Sequence, residues 1–170
     1  TVLARMRRKY SSRMALEGME RLRRAMPGVQ FTTDIIVGFP GETNAEFAET
    51  LAFAEAARFL MIHVFRYSRR AGTPAAEMPG QVPESVKAER SHRLIALEAD
   101  IRRAILDGQT GKVVPVLFEG QENGLLCGHT PEFFEVAVPA GSAAHGEILP
   151  VRIDRNNGTL CFGTVTERKV

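Results

Sequence analysis

The residues best suited to chemistry lie in three short segments. Residues 32–43, "TTDIIVGFPGET", run Ile35, Ile36 and Val37 straight into Gly38, Phe39, Pro40, Gly41 and Glu42. Glycines let a backbone approach a ligand closely, and a proline fixes a turn. The loop lacks both G-x-x-x-x-G-K-[ST] and G-x-G-x-x-G, so it is neither kind of phosphate cradle. The residues alone fit two readings: a tight strand-to-helix turn, or a ligand loop whose apolar strand end packs on a flat ring. The second segment, "HVFRYSRRAGTPA", gathers Arg66, Arg69 and Arg70 around Tyr67. Guanidinium forks grip carboxylates and phosphates; an exposed basic loop is the equal alternative. The third, "GHTPEFFEV", offers His129, Phe133 and Phe134 for stacking on bases, with one of the two phenylalanines expected in a core.

Charge gives partial guidance. The net charge is only +2. Residues 1–30 are near +6, with eight basic residues against Glu17 and Glu20. Such a cluster holds phosphates or is a solvated helix face, and charge alone favours the solvated face. The third segment is not basic: Lys112, Arg152 and Arg155 stand among Glu119, Glu122, Glu132, Glu135 and Glu147. Cys127 and Cys161 form no C-x-x-C pair, and no histidine stands at ligand spacing from either, so they read as free thiols in strands. No apolar run approaches 18 residues, which excludes a membrane-spanning helix. With no basic-then-apolar leader, the chain reads as cytoplasmic. It opens in mid-pattern without Met and is expected to be a piece of a longer protein.

The elements that must position these residues follow from period and punctuation. A helix is predicted over 12–26, capped by Ser11 or Ser12 and stopped by Pro27-Gly28. A strand over 30–38 is followed by a helix over 43–57, capped by Thr43 or Asn44 with Glu46 in its first turn. A second strand covers 59–67. Both strands read as buried on both faces, hence parallel, within an αβαβ unit. The Gly/Pro-rich connection 68–83 leads to a helix over 84–107, striped by Leu94, Leu97, Ile101 and Ile105. After Gly108, five short β-rich runs with turn residues between them read as a small antiparallel β-barrel, OB-like or SH3-like. The predicted division is therefore 1–107, α/β, and 108–170, barrel. Two parallel strands make a poor stand-alone sheet, so self-association through exposed strand edges is expected.

With these residues in view, "MRRKYS", "MPGVQFTTDIIVGFPGETNAEFAET", "HVFRYSRRAGTPAA" and "ERSHRLIAL" together resemble the radical-SAM methylthiotransferases over nearly the whole chain. The resemblance implies the C-terminal part of an incomplete (β/α) radical-SAM barrel followed by a TRAM domain. It implies an enzyme that installs a methylthio group at C2 of a modified adenosine at position 37 of tRNA. Within the family, the segments "HVFRYS", "GTPAA" and "GHTPEFFEV" look most like the branch acting on N6-threonylcarbamoyladenosine. The isopentenyladenosine branch is the close second, and the ribosomal-protein branch fits less well.

The implied cofactors are S-adenosylmethionine, cleaved reductively to a 5′-deoxyadenosyl radical, and two 4Fe-4S clusters. The ligands of those clusters are not in this chain: the family's C-x-x-x-C-x-x-C triad is missing, so the chain alone is expected to be inert. The implied partner is the tRNA anticodon loop. By resemblance Arg8, Asp34, Ile36, Val37, Gly38 and Phe65 fall to the cofactor, Arg8 facing its carboxylate and Phe39 and Pro40 shaping the turn. For Asp34 a structural or supporting role, satisfying backbone donors within the barrel, is preferred over a polar ligand contact, and Tyr67 lies near cofactor or base. Arg66, Arg69, Arg70, Lys112, His129 and Phe133 fall to RNA. The family often has Pro where this chain has Arg66 and Ala71, which puts that loop's conformation in question. Two rival readings stand beside this one: a non-catalytic RNA-binding module, and an unrelated α/β domain that binds a nucleotide or anion through "GFPGE".

Overall fold

A computed structural model of the chain describes residues 1–166. Two compact units divide between Glu98 and Ala99.

The first unit holds α1 (Val2–Arg5), α2 (Ser12–Ala25), β1 (Thr32–Val37), α3 (Asn44–Ala57), β2 (Met61–Arg66) and α4 (Pro74–Glu77). It also contains the first part of α5 (Glu84–Asp107). Local chemistry sets the ends. Ser11 caps α2, its hydroxyl accepting from the Met14 N–H at 3.2 Å. Thr43 and Glu46 form a reciprocal capping box on α3. Arg58 closes α3 in the left-handed region at φ 51°. The predicted connection 68–83 contains the one-turn helix α4, begun by Pro74.

β1 and β2 pair in parallel, as the sequence predicts, from Thr32 opposite Met61 to Val37 opposite Arg66. Burial on both faces does not hold. Val37, Ile62, Phe47, Phe59, Ala54, Met19 and Leu94 pack as one core, with Ile35 and Val64 against it. On the other face Ile36 is 37% exposed and Phe65 50% exposed. Side chains alternate along a strand, so a single covering layer of helices buries only every second residue. The continuous apolar run concealed this, because Ile36 and Phe65 are apolar on the uncovered face.

The second unit holds the end of α5 and β3 (Val113–Glu122), β4 (Leu125–His129), β5 (Glu135–Pro139), β6 (Ile148–Asn156) and β7 (Cys161–Val165). The five strands close into a barrel in the order β3-β4-β5-β7-β6. Four pairings are antiparallel; the fifth, β5 with β7, is parallel. Phe118, Val116, Val136, Val151, Ile153 and Cys161 fill the interior with no exposed surface. At Gly128 a Cβ would collide with the Leu117 carbonyl across the β3–β4 ladder, so only glycine lets these strands approach as they do.

Candidate functional site

An open cleft of about 1140 Å³ takes part of its floor from the uncovered face of the two-stranded sheet and reaches Met19, Ile35 and Phe59 on the core side. The register decides its floor. Ile36 stands directly opposite Phe65, and Asp34 opposite His63, on the same face. Ile36 and Phe65 thus form a joint apolar platform with Asp34 one pleat away. Arg8, Arg66, Tyr67 and Arg70 also line the cleft. The structure therefore brings together Arg8, Asp34, Ile36, Phe65, Arg66 and Arg70, which the sequence had to connect across 63 positions.

Three of the residues predicted for the first unit's site sit elsewhere. Val37 is 1% exposed and packs in the core behind the sheet. Gly38 is buried, with φ +72°, and its N–H is taken by Glu42 Oε2 at 2.9 Å. Arg69 is absent from the cleft lining and stands 3.9 Å from Glu77 at an exposed site. The loop after β1 is nevertheless well defined. Phe39 meets the Tyr67 ring edge to face at 5.4 Å, the Gly41 N–H donates to the Gly80 carbonyl, and the Tyr67 N–H donates to the Val37 carbonyl. At the same rim Arg5 forks onto both carboxylate oxygens of Glu46 at 3.0 and 2.7 Å. The Arg5 guanidinium and the Thr43 N–H hold the Glu46 carboxyl down to about 2.

Sequence reasoning missed Glu42, Lys87 and Arg90, which are buried at 7%, 5% and 3% exposure. Arg90 Nη1 pairs with Glu42 Oε1 at 2.9 Å. Burial pushes the Glu42 carboxyl up, opposed by Arg90 and by the Gly38 and Phe39 N–H groups. A signal was present: Lys87 and Arg90 interrupt the helical stripe that continues through Leu94, and cations on an apolar stripe must find partners.

In the barrel the sequence-predicted pair is split as expected: Phe134 is 4% exposed and Phe133 is 71% exposed. Phe133 stacks on His129 with centroids 4.9 Å apart and planes at 21°. His129 Nδ1 lies 2.6 Å from Glu119 Oε2. Phe133 holds φ 68°, a backbone region that a bulky residue seldom enters. Lys112 is not part of this cluster. It precedes β3, whereas His129 pairs with Leu117 further along that strand.

The thiols offer no reactive or metal site. Burial raises Cys161 to about 11, and burial followed by Glu135 and Glu122 raises Cys127. Among the described residues no group of three His, Cys, Asp or Glu side chains is placed to hold a metal ion. No helix among them is long and apolar enough to cross a membrane.

Comparison with known proteins bears on this geometry. The Radical SAM superfamily matches residues 1–54. A threonylcarbamoyladenosine tRNA methylthiotransferase of Bacillus subtilis (strain 168) is 40% identical over 158 residues, 90% of this chain and 35% of that protein. A tRNA-2-methylthio-N(6)-dimethylallyladenosine synthase of Acidothermus cellulolyticus is 45% identical over 158 residues, 89% of this chain and 32% of that protein. The synthase of the same name from Symbiobacterium thermophilum is 39% identical across 100% of this chain and 37% of its own. The chain thus spans about a third of the length of the curated relatives it matches. Among solved structures, a multidomain protein with nucleic acid binding domains from Streptococcus pneumoniae overlays 36% of this chain and 24% of its own at a TM-score of 0.30 and 12% identity, too little to carry an argument. The chain is thus similar, at 39–45% identity, to tRNA methylthiotransferases along about a third of their length, and its first 54 residues match the Radical SAM superfamily.

Proposed function

We propose that this chain is the C-terminal portion of a cytoplasmic enzyme that adds a methylthio group to C2 of a modified adenosine at position 37 of tRNA, most nearly N6-threonylcarbamoyladenosine. The observation that carries the proposal is the cleft: Arg8, Arg66 and Arg70 line it together with Asp34, Ile36 and Phe65 of the uncovered sheet face. The relatives named for dimethylallyladenosine support the isopentenyl-type base as the second substrate reading.

The cleft's donor set fits S-adenosylmethionine. That molecule joins a flat apolar ring to an amino-acid carboxylate, and when bound it supplies the radical that removes hydrogen from the substrate. The Ile36–Phe65 platform packs on the ring and excludes water from it. The Arg8 guanidinium holds the carboxylate. Asp34 accepts from the ligand's donors. Val37 supports the platform from the core side, and Gly38 turns the chain away beneath the ligand. Arg66, Arg69 and Arg70 hold tRNA phosphates. In the barrel, His129 and Phe133 stack on a base of the anticodon loop and Lys112 meets phosphate.

For the 4Fe-4S clusters the described residues offer no matching donor set. Among the described residues no group of ligands gathers around either cysteine, and burial disfavours both thiolates. The chain does not fit a cluster, and two clusters belong to the rest of the enzyme. Alone it transfers no methylthio group.

The deciding experiment is nucleoside mass spectrometry of tRNA from a strain lacking the parent gene. Loss of the methylthio-threonylcarbamoyl nucleoside, with its precursor accumulating, is the expected result. Loss of the isopentenyl counterpart moves the substrate; no change in either overturns the tRNA assignment. A non-catalytic RNA-binding module is favoured by one observation, the exposed His129–Phe133 stack on the barrel. It predicts that Phe133→Ala weakens tRNA binding more than Arg66→Gln with Arg70→Gln. The enzyme reading predicts the reverse, with the salt slope reduced by roughly one for each lost phosphate contact.

A further inference from the structure

The cleft is built on two chain segments, the loop after β1 and the end of β2, and both are held by side chains of one helix. Arg90 Nη1 donates to the Glu42 carbonyl at 3.1 Å as well as to Oε1. Its Nη2 donates to Asn44 Oδ1 at 2.8 Å. Glu42 passes the restraint on, since its Oε2 accepts the Gly38 N–H. Lys87 Nζ donates to the Tyr67 carbonyl at 2.9 Å and to Glu84 Oε1 at 2.7 Å. The Lys87 stem fills the space beside Gly38: a Cβ there would collide with Lys87 Cγ. Gly38 is therefore required twice, by its φ of +72° and by Lys87.

Stability alone does not explain these charges. A buried ion pair commonly contributes no more than apolar packing of the same volume. What it adds is a fixed geometry. Every buried hydrogen bond of Arg90 ends on the Glu42–Asn44 stretch, and the Lys87–Tyr67 bond ends where β2 enters the cleft.

We infer that Lys87 and Arg90 are positioning residues of the cleft: from α5 they fix the Gly38–Glu42 loop and the end of β2 in a ligand-ready arrangement without touching the ligand. This rests on the reading of the cleft as the S-adenosylmethionine site. A loop already ordered loses less freedom when a ligand binds, so the arrangement raises affinity through groups outside the contact shell.

The test uses amide hydrogen exchange of this chain read by NMR, together with calorimetric titration of S-adenosylmethionine. In Arg90→Met, exchange at the Gly38 and Gly41 amides rises by roughly tenfold or more, while the Leu51 amide inside α3 is unchanged. Arg90→Lys, which keeps one cationic donor, falls between wild type and Arg90→Met. Affinity for S-adenosylmethionine follows the same order. Gly38→Ala with Lys87→Ala is destabilised by less than the sum of the single changes, because removing the Lys87 stem makes room for the new methyl. Equal acceleration at Leu51 would overturn the proposal, showing general loosening instead of a positioned loop. Unchanged loop amides, or additive effects at Gly38 and Lys87, would overturn it as well. If the loop amides respond as stated but the wild-type chain does not take up S-adenosylmethionine, the positioning stands and this chain's residues by themselves do not hold the cofactor.

Discussion

The first unit is built on a sheet of two strands, each with one edge unpaired among the described residues and with one face uncovered. In the barrel every strand has a partner on both sides and the interior is sealed. An uncovered face and free edges are liabilities that a closed barrel removes. The difference shows where each unit keeps its chemistry. The first spreads it across the open sheet, through Asp34, Ile36 and Phe65. The second has a core that does nothing but hold shape, and its candidate contacts stand on the outside, at His129 and Phe133.

The largest test of this contrast sets two phenylalanines side by side. Phe118→Ala empties a site with no exposed surface and is expected to destabilise the barrel by about 3–5 kcal/mol in urea titration. Phe65→Ala, on the open face, is expected to change stability by less than ~1 kcal/mol. A Phe65 effect as large as that of Phe118 would mean that a second copy of the chain covers the face in solution. Sedimentation velocity would then show a dimer.

A middle-sized effect concerns acid. Glu46 is held down to about 2 from 4.5, so its pairing stabilises the first unit above pH 4.5 and is lost as pH falls through about 2. The pair is partly exposed, which limits its contribution to about 1 kcal/mol. Arg5→Gln should flatten the pH dependence in this window; an unchanged slope would mean that Arg5 is not the partner that matters. In the barrel Asp154 is also held down, by the Thr164 hydroxyl and then by Arg152, so its acid response runs in the same direction.

The smallest effect has the opposite sign. Phe133→Gly removes the left-handed strain and is expected to raise barrel stability by up to ~1 kcal/mol while weakening tRNA binding. Phe133→Ala should weaken binding without the gain. If glycine brings no gain, the left-handed backbone is not a cost borne for exposure of the ring.

Much of the fold was legible because its signals are local. Ser11 and Thr43 with Glu46 mark helix starts by side-chain chemistry that operates within four residues, and Gly108, with no side chain, stands just past the end of α5. The parallel pairing of β1 with β2 was reached from the αβαβ order and from an expected burial on both faces that does not hold. What escaped depends on where distant segments meet. Ile36 and Val37 are alike in type and adjacent in sequence, yet one faces the cleft and the other the core. Only the position of α2 and α3 decides which. Arg90 and Glu42 are 48 residues apart, and nothing local to either announces the other. The parallel β5–β7 pair was equally hidden, since short strands and turns look the same whichever way the last one enters the barrel.

That last strand has a kinetic consequence. β7 lies between β5 and β6 and supplies the pairing that closes the ring. While the polypeptide is being made, β3, β4, β5 and β6 emerge first and form an incomplete wall whose gap flanks are unpaired. The wall cannot close until Cys161–Val165 is available. Closure therefore waits on a contact between segments far apart in sequence, the kind that forms slowly. During that interval the exposed flanks of β5 and β6 can capture a strand from another nascent chain. Gly163→Val, whose side chain would collide with Val151 and the Arg152 carbonyl across the β6–β7 ladder, should lengthen that window, and the yield of soluble protein should fall with it.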